Sequence, residues 1–261
     1  MQTKPSSARH SILLVVPVWN DAARLAGYGP QLAEELAASA LPVRWIIADD
    51  GSGADERARL TSLRETLAAI YPAVEVHFAA SHRGKGAVVR EAWALDPEAA
   101  WLAFADADGS VNAADMLALI EQAIAADLNT LAVRVNTATT RVESSFRREL
   151  LHHAYLWLAR RVLGLHSADL QCGAKVLKGP DYRRVEPFLQ EEGFAFDSEM
   201  LLAMHHLGLT WQERPVNWRG QPGGKVHPLR DGIRMLGALR RIRLRQTARD
   251  QAGSEGQAES G

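Results

Sequence analysis

Two short acidic segments carry the strongest chemical signal in this 261-residue chain: Asp106-Ala-Asp108-Gly109 and Asp49-Asp50-Gly51-Ser52. Each follows an apolar run, where a strand hands over to a loop. Asp106 and Asp108, two residues apart at such a point, can share a hard divalent cation with substrate phosphates, as Mg²⁺ is typically held. Taken singly, each segment also reads as a polar turn or helix start, with Asp108 capping the chain. Together they put four carboxylates on one rim, where mutual repulsion calls for a cation or hydrogen-bond donors. A nucleotide base, a ribose and a metal-bound diphosphate would supply both.

Ser81-His82-Arg83-Gly84-Lys85-Gly86 follows a third apolar run and precedes a helical pattern. Its glycines admit a close ligand, and Arg83, Lys85 and the helix N-terminus favour an anion. Read blandly, it is a basic turn. Lys85 is followed by glycine, so this is no Walker loop, and the first strand-to-helix turn lacks GxGxxG. Nucleoside-triphosphatase and NAD-dehydrogenase readings therefore drop out. Two further clusters, Asp169-Leu-Gln171-Cys172-Gly173-Ala174-Lys175 and Phe196-Asp197-Ser198-Glu199, taken alone read as structure: Cys172 as a small buried group, Asp197 as the N-cap of a helix through Glu199 to His206. The pairs His152-His153 and His205-His206 lack the i, i+4 spacing of helical metal ligands and are assigned no metal.

The elements that must position these groups alternate. Strands are predicted at Ile12–Val18, Val43–Ala48, Val74–Ala79, Trp101–Ala105 and Leu131–Val135. Helices are predicted at Leu25–Ala40, Glu56–Ile70, Ala87–Ala94, Asp115–Ala126 and Ser144–Leu163. Such alternation implies βαβ units, a mostly parallel Rossmann-like sheet with helices on both faces, and functional loops at the carboxyl ends of the strands. The long helix has apolar positions at helical spacing and reads as core packing or a partner surface.

The organisation expected is a flexible 1–10, a folded α/β domain over 11–229, a basic amphipathic helix over 230–249 and a disordered tail over 250–261. Lys+Arg 30 against Asp+Glu 31 gives a net charge of −1. That balance hides a local asymmetry, because Arg230 to Arg249 holds seven arginines and one aspartate, net +6, on an acidic body. Arg234, Arg241 and Arg245 fall on one face of that helix, with Leu236 and Leu239 roughly opposite. Basic residues near an anionic lipid surface contribute about 1 kcal/mol each, so the segment could attach reversibly to a membrane; a solvated helix packed on the domain is the bland alternative. Nucleic-acid binding is disfavoured by the acidic body. The single cysteine excludes an internal disulfide and points to a reducing compartment, with cytoplasm the default. No apolar run approaches the ~18 residues of a membrane span. Ile12 to Trp19 reads as a buried strand, not a signal peptide, because Pro17, Asn20 and Asp21 break the pattern.

With PVWN, DDGS, RGKGAVVREA, DADG, DLQCGAK, FDSE and VNWRGQPGGKV in this order, the chain resembles the family-2 glycosyltransferases of GT-A fold, and within them the dolichyl-phosphate β-glucosyltransferase and polyprenyl-phosphate glycosyltransferase branch. The resemblance spans about Ile12 to Arg245. It implies a nucleotide-base pocket at Pro17, Asn20, Asp49, Asp50 and Gly51, a basic turn at Lys85, and metal-diphosphate carboxylates Asp106 and Asp108 with Mg²⁺ or Mn²⁺. It implies that Asp169, Gln171 and Lys175 line the sugar and acceptor side, that Asp197 and Glu199 form an acidic catalytic element, and that Arg134 or Arg141 meets an acceptor phosphate. The function implied is inverting, metal-dependent transfer of a hexose, glucose from UDP-glucose, to a polyprenyl or dolichyl phosphate at the cytoplasmic membrane face. Trp19 departs from the pattern in place of a smaller aromatic, as does the Gly220–Gly224 loop, and the transmembrane helices of many relatives have no counterpart here.

The acceptor decides the chemistry needed. A phosphate monoester with a second pKa of ~6 is already ionised near neutrality and can attack without a strong base. A sugar hydroxyl would need a carboxylate such as Asp169 or Asp197. A soluble saccharide or small-molecule acceptor is thus the alternative enzyme, and a non-catalytic nucleotide-sugar-binding protein the alternative class.

Overall fold

The computed structural model describes residues 11–144, 146–165, 167–221, 234–247 and 249. The expectations for 1–10, 250–261 and the loop from Pro222 to Gly224 lie outside the described residues. In chain order the elements are β1 (Ile12–Val18), α1 (Ala22–Ala38), β2 (Val43–Asp49), α2 (Ala54–Ala68), β3 (Val74–Phe78), α3 (Lys85–Trp93), β4 (Trp101–Ala105), α4 (Ala113–Ala126), β5 (Asn129–Val133), β6 (Val142–Glu143), α5 (Phe146–Leu163), β7 (Ala174–Lys178), α6 (Gly179–Val185), α7 (Phe196–His206), β8 (Trp211–Pro215) and β9 (Trp218–Arg219). A last helix, α8, covers 234–247.

Seven strands form one sheet in the order β3-β2-β1-β4-β7-β5-β8, and β6 pairs with β9 apart from it. All neighbours are parallel except β7, which runs antiparallel between β4 and β5. The alternation of side chains along a strand builds a core on each face. In β1, Ile12, Leu14 and Val16 join a cluster with α1, α2 and α4. Leu13 and Val15 join the other, with α3, α5, α6, α7 and α8. Helices thus cover both faces, as expected of strands buried on both sides.

Several boundaries differ from the sequence expectation for identifiable reasons. The fifth strand sits two residues earlier than expected, at Asn129–Val133, because Asp127 takes the left-handed conformation that ends α4 and turns the chain at once. α4 begins at Ala113, where Asn112 accepts the Asp115 amide at 2.8 Å. Asp197 is no N-cap. It lies inside α7, whose N-cap residue is Ala195, so its carboxylate is free for other partners.

Candidate active site

The carboxyl ends of β1, β2, β3 and β4 meet around one pocket of about 990 Å³, lined among others by Pro17, Trp19, Asp50, His82, Lys85, Asp106 and Asp108. β1 has β2 on one side and β4 on the other, so the pocket lies at the switch point of the strand order, where open α/β sheets bind ligands. Neighbouring aspartates behave differently because successive residues leaving a strand point to opposite sides. Asp49 is fully buried, accepting the Ser52 amide at 3.1 Å and facing Arg57 Nε at 3.2 Å. Asp50 reaches the pocket, where its two oxygens accept the Arg83 and Gly84 amides at 2.9 and 2.8 Å and one lies 2.7 Å from His82 Nδ1. Asp49 therefore builds the turn, and Asp50 fastens the basic turn to it. Gly51, at φ +70°, lets the backbones touch, since a Cβ there would lie 2.3 Å from the His82 nitrogen. Asn20 is placed outside the pocket lining, where its side chain accepts the Gly53 amide at 3.1 Å.

Asp106 and Asp108 both line the pocket. Lys85 Nζ lies 2.8 Å from Asp106 Oδ1, 3.7 Å from Asp197 Oδ2, and 4.5 Å from the Phe104 ring centre. Burial alone would pull the Lys85 amine down, yet Asp106 and Asp197 hold it above the ordinary lysine value, so it stays a fixed cation. The Ser110 amide donates to Asp108 Oδ1 at 2.9 Å, and Arg24 stands 3.7 Å from Oδ2. Beneath the pocket, Lys175 is fully buried, with Nζ 2.7 Å from Asp197 Oδ1 and donating to the Cys172 carbonyl at 2.9 Å. Burial pushes the Cys172 thiol up to about 12, so it stays protonated.

Asp169, Lys175, Asp197 and Glu199 do not line the pocket. Asp169 sits in a separate buried cluster. Arg134 grips it through Nε at 2.5 Å and Nη2 at 2.9 Å, and lies 5.3 Å from the Trp218 ring centre. Burial would raise the Asp169 carboxyl, but the guanidinium holds it down at about 2. His152 packs on the same guanidinium at 3.1 Å; burial and that charge push its pKa down to about 4, so it is neutral. Gln171 donates its amide N–H to Asp169 Oδ1 at 2.9 Å and turns its side chain to Met235 Sδ at 3.8 Å.

Sequence reasoning placed Trp19 and Asp21 on the rim but missed Arg24 and the α8 residues of the lining. Arg24 sits one helical turn after Asp21, a spacing that could have shown both facing the rim. Trp19 stacks on His82 with ring centres 3.9 Å apart at 13°. Arg234, Met235, Ala238 and Arg241 of α8 form one wall. The arginine face of α8 is thus turned to the body, as in the packed-helix alternative: Arg241 and Arg245 pair with Glu191, beside buried Ala238 and Ile242.

Solved structures with this architecture include glucosyl-3-phosphoglycerate synthase from Mycobacterium tuberculosis in complex with Mn²⁺, UDP and glucosyl-3-phosphoglycerate, at TM-score 0.60 and 15% identity, covering 95% of this chain and 86% of that one. Mannosyl-3-phosphoglycerate synthase from Rubrobacter xylanophilus superposes at TM-score 0.65 and 17% identity over 93% of this chain and 75% of that one. The chain has the GT-A glycosyltransferase fold. Among curated proteins, this GT-A chain is similar to the dolichyl-phosphate beta-glucosyltransferases of Saccharomyces cerevisiae, 27% identical over 218 residues, and Dictyostelium discoideum, 28% over 208 residues. Each match covers 77% of this chain, which spans 65% and 62% of the length of those relatives. The resemblance drawn from the motifs therefore holds across most of the GT-A chain. No protein-family model matches it.

Proposed function

We propose that this chain is an inverting, metal-dependent glycosyltransferase that moves glucose from UDP-glucose to a polyprenyl phosphate at the cytoplasmic face of a membrane. The observation that carries the acceptor is the engagement of both carboxylates that a hydroxyl acceptor would need. Asp169 is clamped by Arg134 at a pKa of about 2, and Asp197 is shared between Lys175 and Lys85. A general base needs an oxygen free to take the acceptor proton, and the carboxylate of each is already held by a buried cation. A phosphate monoester needs no such base. The similarity to dolichyl-phosphate beta-glucosyltransferases supports the same choice.

Asp106 and Asp108 fit a divalent cation. Both present carboxylates to the pocket, the Ser110 amide fixes one oxygen of Asp108, and the cationic neighbours Lys85 and Arg24 balance charge there. Mg²⁺ or Mn²⁺ held by Asp106 and Asp108 would neutralise charge building on the leaving diphosphate. Lys85 offers a second, permanent positive charge in the same pocket, aimed where that charge develops. Pro17, Trp19, Asp50 and His82 form the end of the pocket suited to the base and ribose. Asp197 keeps both lysines in place.

Incubating purified protein with Mn²⁺, radiolabelled UDP-glucose and a short-chain polyprenyl phosphate should move label into butanol. Asp108→Asn should lower that transfer by about 10²–10³-fold, the scale for losing one electrostatic contact to a developing charge. Label appearing only in water-soluble product would favour a soluble acceptor. Tight UDP-glucose binding without turnover would favour a binding protein.

Among the described residues no helix is long and apolar enough to cross a membrane. For the membrane contact we propose the outer face of α8, where Leu236 and Leu244 are 48% and 59% exposed beside exposed Arg240 and Arg243. Each arginine near anionic lipid contributes about 1 kcal/mol, so Arg240→Glu with Arg243→Glu should weaken sedimentation with phosphatidylserine vesicles about tenfold or more. Unchanged sedimentation would remove α8 as the contact.

A further inference from the structure

The inner side of α8 is tied to the pocket by charge as well as by packing. Arg241 meets Glu191 through Nε at 3.1 Å and Nη2 at 2.8 Å. Arg245 meets Glu191 and, at 3.2 Å, Glu199. Glu191 and Glu199 are 7% and 5% exposed, and two buried carboxylates this close would repel each other without those guanidiniums. The other oxygen of Glu199 accepts the backbone amides of Gln190 and Glu191, at 2.7 and 2.6 Å. One residue on, the Glu192 carbonyl accepts the Ala87 amide at 3.0 Å, in the first turn of α3, two residues after Lys85. The backbones meet so closely that a Cβ on Gly86 would lie 2.8 Å from the Glu191 carbonyl oxygen and 2.4 Å from Phe196 Cβ. A continuous chain of contacts therefore runs from α8 through two carboxylates and three backbone residues to the turn that aims Lys85 at Asp106.

We propose that Glu191 and Glu199 are positioning residues that couple α8 to the Lys85 turn, so that the pocket grips a nucleoside diphosphate tightly only with α8 latched. The ligand in this statement rests on the function proposed above. The coupling itself does not, because Lys85 and Asp106 are already paired. This separates the two acids of the FDSE motif: Asp197 anchors the lysines, whereas Glu199 acts at a distance through the 190–192 backbone. Coupling of this kind is reciprocal, so a ligand on Lys85 must also stabilise α8.

Amide hydrogen exchange on the full chain tests it. Glu199→Gln should speed exchange at Gln190, Glu191, Ala87 and 234–247 by about tenfold or more, the scale of a lost charge-assisted contact, with the amides of β1 unchanged. In calorimetry the same variant should bind UDP with Mn²⁺ about tenfold more weakly, and UDP should slow exchange of 234–247 in the unmodified chain. Faster exchange of 234–247 with Ala87 at its original rate would overturn the coupling, as would a uniform rise that includes β1. If Glu199→Gln fails to fold, the paired change Arg241→Gln and Arg245→Gln breaks the latch from the helix side and reads the same amides. Failure of the unmodified chain to bind UDP would count against the proposed function, while the exchange pattern of the variants would still decide the coupling.

Discussion

Asp197→Asn is expected to lower the unfolding free energy by about 3–5 kcal/mol at neutral pH, the cost of removing one partner from a buried ion pair. Lys175 is fully buried, and Asp197 Oδ1, 2.7 Å from its Nζ, is its carboxylate partner, the Cys172 carbonyl being a neutral acceptor. With the carboxylate gone, the ammonium must either stay charged in an apolar setting or lose its proton, and both are costly. Lys85 suffers less, because Asp106 remains 2.8 Å away. The measurement is urea unfolding at pH 7. The double change Lys175→Met with Asp197→Leu should recover most of the loss, because replacing both members of a buried pair by apolar groups is often neutral. A single variant as stable as the original chain would mean that Lys175 is not held by Asp197. A double variant no better than the single would assign the loss to packing and not to charge.

That pair also shows where the sequence could be read and where it could not. The strands β1 and β4 were legible to the residue, because each is an apolar run ended by polar or turn-forming residues. The rim position of Asp50, Lys85, Asp106 and Asp108 followed from the rule that loops at strand carboxyl ends carry function. β7 was not legible. Ala174–Lys178 is five residues long, and it becomes a strand only because β4 and β5, distant in sequence, leave a slot between them. With β7 unseen, Lys175 read as a residue of the sugar side, whereas the strand carries it beneath the pocket floor. Asp49 and Asp50 were grouped as one motif because their types match, and the two sides they take depend on the last turn of the strand. Helical spacing puts Arg234, Arg241 and Arg245 of α8 on one face but leaves open whether that face meets lipid or the domain; buried Ala238 and Ile242 turn it to the body.

Gly173→Ala should lower kcat/KM by about 10²-fold, the scale for misplacing a catalytic group by an ångström, while costing about 1–3 kcal/mol of stability, the usual range for overpacking. A Cβ at residue 173 would lie 1.9 Å from Asp106 Oδ2 and 2.3 Å from its Cγ, so the carboxylate must leave its place. The Gly173 carbonyl accepts the Asp106 amide at 2.8 Å, which holds the backbones together and prevents β7 from yielding instead. The displaced group is the partner of Lys85 and, in the function proposed, one of the two carboxylates that would hold the metal, so the loss should fall on donor binding. It should show as weaker Mn²⁺-dependent UDP affinity in calorimetry, with urea unfolding still cooperative. Gly27→Ala is the control, since a Cβ there meets nothing within 4 Å. If Gly173→Ala keeps the original UDP affinity and turnover, the position of Asp106 does not govern the site. The losses expected instead would explain the small residue in the DLQCGAK motif by the room that the Asp106 carboxylate on the neighbouring strand needs.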